Sequence, residues 1–169
     1  MGDFADGYRY YMQNSASVMA SNQGSTYVDN VNNEINNLIN NLNGFKGYET
    51  SDLILKGDIA EFWHSGTFNI NAALNGDKSR TSVFRSHDFA SADILSDFGE
   101  KFGLKYYKNG EASANAQAVN VFQRFKQYQA KGGKDPLEVF LSKRGFNDIN
   151  DPIYSGQVRI IPTDQLKEA

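Results

Sequence analysis

The sequence predicts an α/β fold: a small mixed sheet with flanking helices, preceded by a helical hairpin. Three observations carry this. Apolar residues recur every three or four positions over 57–75. Three short strand-like segments follow, over 80–85, 92–95 and 102–107. A second helical pattern over 111–130 and a late strand over 157–161 then complete the order αβββαβ.

The first two helices are read at 6–20 and 26–43. Tyr8, Tyr11, Met12, Ser15, Val18 and Met19 lie at helical spacing in the first. Ser21-Asn22-Gln23-Gly24-Ser25 is expected to break it, with Gly24 as terminator. In the second, Val28, Val31, Ile35, Leu38, Ile39 and Leu42 form one stripe opposite a face of asparagines. Asparagine is a mediocre helix former, so packing of that stripe must hold the helix. Gly44 and Gly47 end it. Residues 1–50 are therefore expected to be a helical hairpin and residues 51–169 an α/β core. The hairpin stripe is expected to dock on that core, on a second copy or on a partner protein.

The core helix over 57–75 presents Ile59, Phe62, Trp63, Gly66, Ile70, Ala73 and Leu74 on one face, with Glu61 and His64 flanking it. Asn75-Gly76-Asp77 is a turn signal. In the strand over 102–107, Phe102, Leu104 and Tyr106 alternate with Gly103, Lys105 and Tyr107. The helix over 111–130 is read as continuous, with Val119, Phe122 and Phe125 near its apolar face, and Gly132-Gly133 as its stop. Pro136 opens a short helix over 137–143. Ile59, Phe62, Ile70, Leu74, Leu104, Val119 and Phe122 are expected to be buried together. Thr163-Asp164 looks like the cap of a helix that barely begins, so the chain reads as a fragment of something longer or as ending in a frayed tail.

Composition narrows the function. With 169 residues, 40% of them hydrophobic and 13% aromatic, the chain can bury a core. Cysteine is absent, which excludes thiolate zinc sites, disulfides and a cysteine nucleophile. The net charge of −3 is too small for bulk attraction to a polyanion, so a nucleic-acid protein of this composition needs a local basic patch. Arg80, Arg85, Lys101, Lys105, Lys108 and Arg124 are expected to supply it. No secretory leader and no apolar run of membrane-spanning length are read, and a cytoplasmic setting without a membrane partner is expected.

Three charged residues stand out in the core: Glu61 on its first helix, Asp93 on the second strand and Lys105 on the third. Their order, within the order of elements, resembles the PD-(D/E)xK phosphodiesterase superfamily over residues 56–161. That resemblance implies a Mg²⁺-dependent nuclease, or a nucleic-acid-binding domain derived from one, with DNA or RNA as partner. Asp93 and Glu61 are then the metal ligands, and Lys105 the group that orients water or neutralises developing charge. Gln117 matches a glutamine on the following helix. The family's acid-x-lysine pattern needs an acid at 103, where this chain has Gly103. The alternative is a non-enzymatic structural or interaction module of a phage or mobile-element protein. Ser91-Ala92-Asp93-Ile94 and Gly103-Leu104-Lys105-Tyr106-Tyr107 also resemble segments of uncharacterised bacterial and phage proteins.

Hard carboxylate oxygens suit Mg²⁺, and a lysine beside them suits a reaction that builds negative charge. Other candidates are weaker. Glu61 and His64 have the i, i+3 spacing that can face one metal, but two histidines in the whole chain exclude a histidine-rich zinc site. His64 remains a candidate for contact with phosphate or water. Ser86-His87-Asp88 is triad-like in composition, yet adjacent residues rarely satisfy triad geometry. Trp63, Tyr106 and Tyr107 are candidates for base stacking; the plainer expectation puts Trp63 in the core and buries one tyrosine. No phosphate-binding glycine loop is present.

Overall fold

A computed structural model describes residues 2–86 and 88–167, with side chains from residue 23 onward except Leu53. The elements among them are α1 (Gly2–Gly44), α2 (Asp52–Leu74), β1 (Thr81–Val83), β2 (Ile94–Ser96), β3 (Lys101–Leu104), α3 (Gly110–Ala118), α4 (Val121–Ala130), α5 (Leu137–Arg144), β4 (Val158–Ile160) and a 3-10 turn at Thr163–Gln165. The sheet order is β1-β2-β3-β4. The first two pairings are antiparallel and β4 runs parallel to β3. The fold is α/β with a mixed sheet, as the order of elements predicts.

The sheet is held to α2 from two sides. Ala60 of α2 packs on Ile94 and Leu104, with Phe102, Tyr106 and Ile160 around them. At the free edge of β1, Asn69 of α2 takes the place of a neighbouring strand. Its Oδ1 accepts from Thr81 N–H at 2.7 Å and its Nδ2 donates to Thr81 C=O at 2.9 Å. Backbone groups that would be left unpaired at an edge are satisfied by one side chain. These contacts fix where Glu61, one residue from Ala60, stands relative to β2 and β3.

A helical pair is present at the N-terminal end, but α1 and α2 form it. The expected break at 21–25 is absent: α1 runs through Gly24 to Gly44. A glycine inside a helix costs only about 1 kcal/mol relative to alanine, which long-range contacts of the same helix offset. Tyr27 Oη donates to Leu74 C=O at 3.1 Å, Glu34 pairs with Arg80 at 2.7 Å, and Leu38 is buried on α2. The side chains expected on the 6–20 stripe lie outside the described residues. Of the second stripe, Leu38 is buried while Val28, Ile35 and Ile39 stay exposed.

Leu38 sets the distance between the two helices. A Cβ added at Gly66 would lie 2.5 Å from Leu38 Cδ1 and 2.9 Å from its Cβ. Gly66→Val is therefore expected to destabilise the protein by about 1–3 kcal/mol. Gly57→Ala, in the same helix with no neighbour in the way, is expected to stabilise by up to about 1 kcal/mol. Urea titrations check both, and equal midpoints for the two variants would reject the close approach.

The helix expected over 111–130 is two helices. Val119 leaves helical conformation with ψ of 128°, and Asn120 starts α4 with a capping box. Its Oδ1 accepts from Gln123 N–H at 2.8 Å and Gln123 Oε1 accepts from Asn120 N–H at 3.1 Å. The restart changes the helical phase, so Val121 and Phe125 turn inward and Phe122 is exposed. Val121, Phe125, Phe140 and Ile153 form a second apolar cluster, with Val119 packed against it. Thus the seven residues expected to be buried together are not one group. Leu104 belongs to the sheet cluster and Val119 to the second. Ile59, Phe62 and Ile70 are half-buried. Leu74, at the last position of α2, is 50% exposed and Phe122 is 37% exposed. The expected helix start at Thr163-Asp164 is a single 3-10 turn.

Candidate functional site

Asp93 precedes β2 and already belongs to its ladder: its N–H donates to Phe102 C=O at 2.9 Å and its C=O accepts from Phe84 N–H at 2.8 Å. Its side chain leaves the start of β2 beside the end of β3. There its Oδ2 accepts from Leu104 N–H at 2.6 Å and from Lys105 Nζ at 3.4 Å. The Lys105 ammonium also donates to Leu104 C=O at 3.0 Å and lies 4.8 Å over the Tyr154 ring.

Glu61 comes from α2. Burial pushes its carboxyl up from 4.5 to about 7, and the negative charge of Asp93 is the next contribution. The positive charges of Arg85 and Lys105 act the other way. Arg85 stands 3.6 Å from Glu61 and 3.0 Å from Asp58. Its guanidinium also lies over the rings of Phe45 and Phe62, which fix it between the α1–α2 turn and the site. Of the acid, acid and lysine picked out along the sequence, Asp93 and Lys105 are paired, and Glu61, held by Arg85, lies close enough to feel the charge of both. What spacing did not reveal is Arg85 as the counter-ion of Glu61 and Tyr154 as the platform under Lys105.

The raised Glu61 value has a consequence for stability. Between the unfolded value near 4.5 and the folded value near 7, the native state holds a proton that the unfolded chain has released. Stability from this group is thus present at low pH and declines as pH rises through that window. Glu61→Gln removes the dependence. In the presence of a chelator, its urea midpoint is expected to gain on the wild type between pH 5 and pH 8; a gap that stays constant would reject the burial of a carboxylate there.

Other expected residues have different duties. Gln117 is buried, and its Nε2 donates to Gly103 C=O at 3.2 Å and Ile160 C=O at 3.0 Å, stitching β3 to β4. Its amide hydrogens are taken by these two carbonyls. His64 hydrogen-bonds the Tyr106 hydroxyl, and burial holds its ring below the ordinary histidine value. It borders a mainly apolar cavity of about 300 Å³ with Ile94, Phe102 and Ile160. Ser86 Oγ donates to Asp88 at 2.7 Å within a turn, while His87 lies outside the described residues.

Trp63 is 55% exposed, against the expectation that it belongs to the core, because it falls on the outer side of α2. With Lys56 and Tyr106 it lines an open groove. Tyr107 is also exposed. The basic residues divide. Arg80 is tied to Glu34 on α1, away from the expected patch. Arg124 reaches Tyr154 Oη at 3.5 Å, so it shares that ring with Lys105. Lys101 and Lys108 are exposed.

The residues at this site supply two carboxylates, and no group of three or more His, Cys, Asp or Glu side chains able to hold a metal occurs among the described residues. A third oxygen is nevertheless at hand. Gln157 Oε1 is buried, lacks a hydrogen-bond partner, and lies against Gly103. An amide oxygen is a hard donor of the kind divalent cations take, and this one lies against the residue next to Leu104, whose N–H Asp93 accepts. No helix among the described residues is long and apolar enough to cross a membrane. Comparison of the chain with protein-family models, curated proteins and solved structures finds no match.

Proposed function

We propose that this chain carries a core of the PD-(D/E)xK phosphodiesterase type and acts on DNA or RNA as a Mg²⁺-dependent nuclease. The observation that carries the reading is the pairing of Lys105 with Asp93 at one end of β2 and β3, at 3.4 Å, with Glu61 of α2 close enough that the charge of Asp93 raises its carboxyl. The order of elements supports it, with the parallel β3–β4 pair beside two antiparallel pairings.

Each residue has a role that its surroundings permit. Asp93 and Glu61 would hold the cation, which when bound polarises the phosphoryl group and lowers the pKa of the attacking water. Lys105, held by Asp93, Leu104 and Tyr154, offers a fixed positive charge where phosphate charge grows. Arg85 balances Asp58 and Glu61, two of the acids of α2. Trp63 and Tyr107 are exposed aromatic faces on which unpaired bases can stack.

The second reading, an interaction module of a phage or mobile-element protein that keeps this core without cleavage, is favoured by the lack of an acid at Gly103. One experiment separates them. Single- and double-stranded DNA and RNA are incubated with the protein in Mg²⁺, in Mn²⁺ and in chelator. Cleavage that requires either ion is the expected result. No cleavage of any of these substrates, with no Mn²⁺ bound, would leave the interaction module as the better reading.

A further inference from the structure

We propose that Gln157 Oε1 supplies the third oxygen of the cation site formed with Asp93 and Glu61, in the space that Gly103 leaves open. The inference rests on the nuclease-type reading above and extends it to a residue that the acid-x-lysine pattern does not contain.

Gly103 lies in the interior of β3, where a glycine weakens a strand and marks a close approach. It is not among the glycines with positive φ, so its backbone does not require glycine. Space does. A Cβ at 103 would lie 2.5 Å from Gln157 Oε1, with the amide carbon 3.7 Å away. The end of the Gln157 side chain therefore stands where a side chain at 103 would begin. Gly103 and an inward-reaching Gln157 are two halves of one arrangement.

The orientation of that amide is determined by its other end. Gln157 Nε2 donates to Ala90 C=O at 2.8 Å, which leaves Oε1 as the atom pointing at β3. Ala90 itself is held at φ of 57°, a left-handed conformation that alanine seldom adopts. Oε1 is buried and has no donor. A buried carbonyl oxygen without a partner in the protein is costly, so a native one calls for an ordered water or a cation. The residue after Gly103 donates its N–H to Asp93, so the Asp93 carboxylate and the orphaned oxygen abut adjacent residues of β3. The Gly103 C=O is taken by Gln117.

Substituting a neutral amide oxygen for a carboxylate keeps a hard ligand and removes one negative charge. Cation affinity falls with the charge count of the ligands, so the site is weaker than one with three acids. It also predicts why an acid cannot simply be restored at 103: a glutamate there meets Gln157.

The test is Mn²⁺ binding by the full-length chain, followed as loss of the free-ion electron paramagnetic resonance signal, with thermal unfolding in chelator to confirm folding. Wild type is compared with Gln157→Glu, Gln157→Met, Gly103→Ala and Asp93→Asn. Gln157→Glu is expected to bind about tenfold more tightly or better. Gln157→Met keeps the size and loses the oxygen, and it is expected to bind about tenfold more weakly. Gly103→Ala adds no ligand group and displaces Oε1, so it is expected to weaken binding too. Asp93→Asn is expected to lose it. Equal affinity for wild type and both Gln157 variants, with loss in Asp93→Asn, would overturn the role of Gln157 and leave the nuclease-type site standing. No binding by wild type or by Gln157→Glu would overturn both.

Discussion

Replacing Asp93 with asparagine is expected to abolish Mg²⁺-dependent cleavage, by about 10²-fold or more, while leaving the fold in place. Asparagine keeps the shape and an acceptor oxygen for the Leu104 N–H, so the contact at 2.6 Å that ties Asp93 to β3 survives. What disappears is the charge that faces Lys105 and raises Glu61. Removing one electrostatic group of this kind typically costs about 10²–10³ in rate. Lys105→Ala differs in kind: cleavage is lost while Mn²⁺ binding remains, since an ammonium is not a ligand. Cleavage assays beside circular dichroism and thermal melts check both. An Asp93→Asn protein that cleaves at the wild-type rate would remove Asp93 from the chemistry.

The largest loss of stability is expected from Phe140→Ala, at about 3–5 kcal/mol. Phe140 is fully buried. Its ring centroid lies 5.1 Å from that of Phe125 and 5.2 Å from that of Tyr128, and the Arg144 guanidinium lies 3.9 Å from it. Alanine would leave a cavity lined by rings that cannot collapse without losing one another. A fall in melting temperature on the order of 10 °C is expected for a chain of this size. Phe122→Ala, one residue outside the inward face of α4, is expected to cost less than about 1 kcal/mol. Comparable losses for the two would mean that the phase of α4 is wrong.

Much of the fold was legible because local signals and long-range packing agree. The alternation of Phe102, Gly103 and Leu104 reads as a strand and is one. Pro136 and Gly145 bracket α5 as an N-terminal proline and a left-handed cap should. Two local readings went astray for opposite reasons. Gly24 is a weaker stop than its residue type suggests, since a helix tied down at Tyr27, Glu34 and Leu38 tolerates one glycine. Asn120 is a stronger start: asparagine followed three positions later by glutamine is a capping-box signature, and it divides α3 from α4. At the site, residue type and element order pick out Asp93 and Lys105, which the structure pairs, and Glu61, which lies within reach of their charges. The pairing of Arg85 with Glu61 and the places of Tyr154 and Gln157 were not legible, because their partners lie in other elements and no local period encodes such contacts.

The parallel pairing of β4 with β3 has a kinetic meaning. β1, β2 and β3 are joined by short connections and can pair as they emerge, since nearby segments close rapidly. β4 must wait for the whole of α3, α4 and α5, and closing so long a loop is an entropic hurdle that local structure does not lower. Gln117 can bridge Gly103 and Ile160 only after that step, and Gln157 reaches Gly103 at the same moment. A chain stalled before β4 docks therefore has Asp93 and Lys105 in register but lacks the Gln157 oxygen proposed for the cation site. Acquisition of Mn²⁺ during refolding should accordingly lag behind formation of the hairpin strands, which makes the ion a clock for the last event in folding.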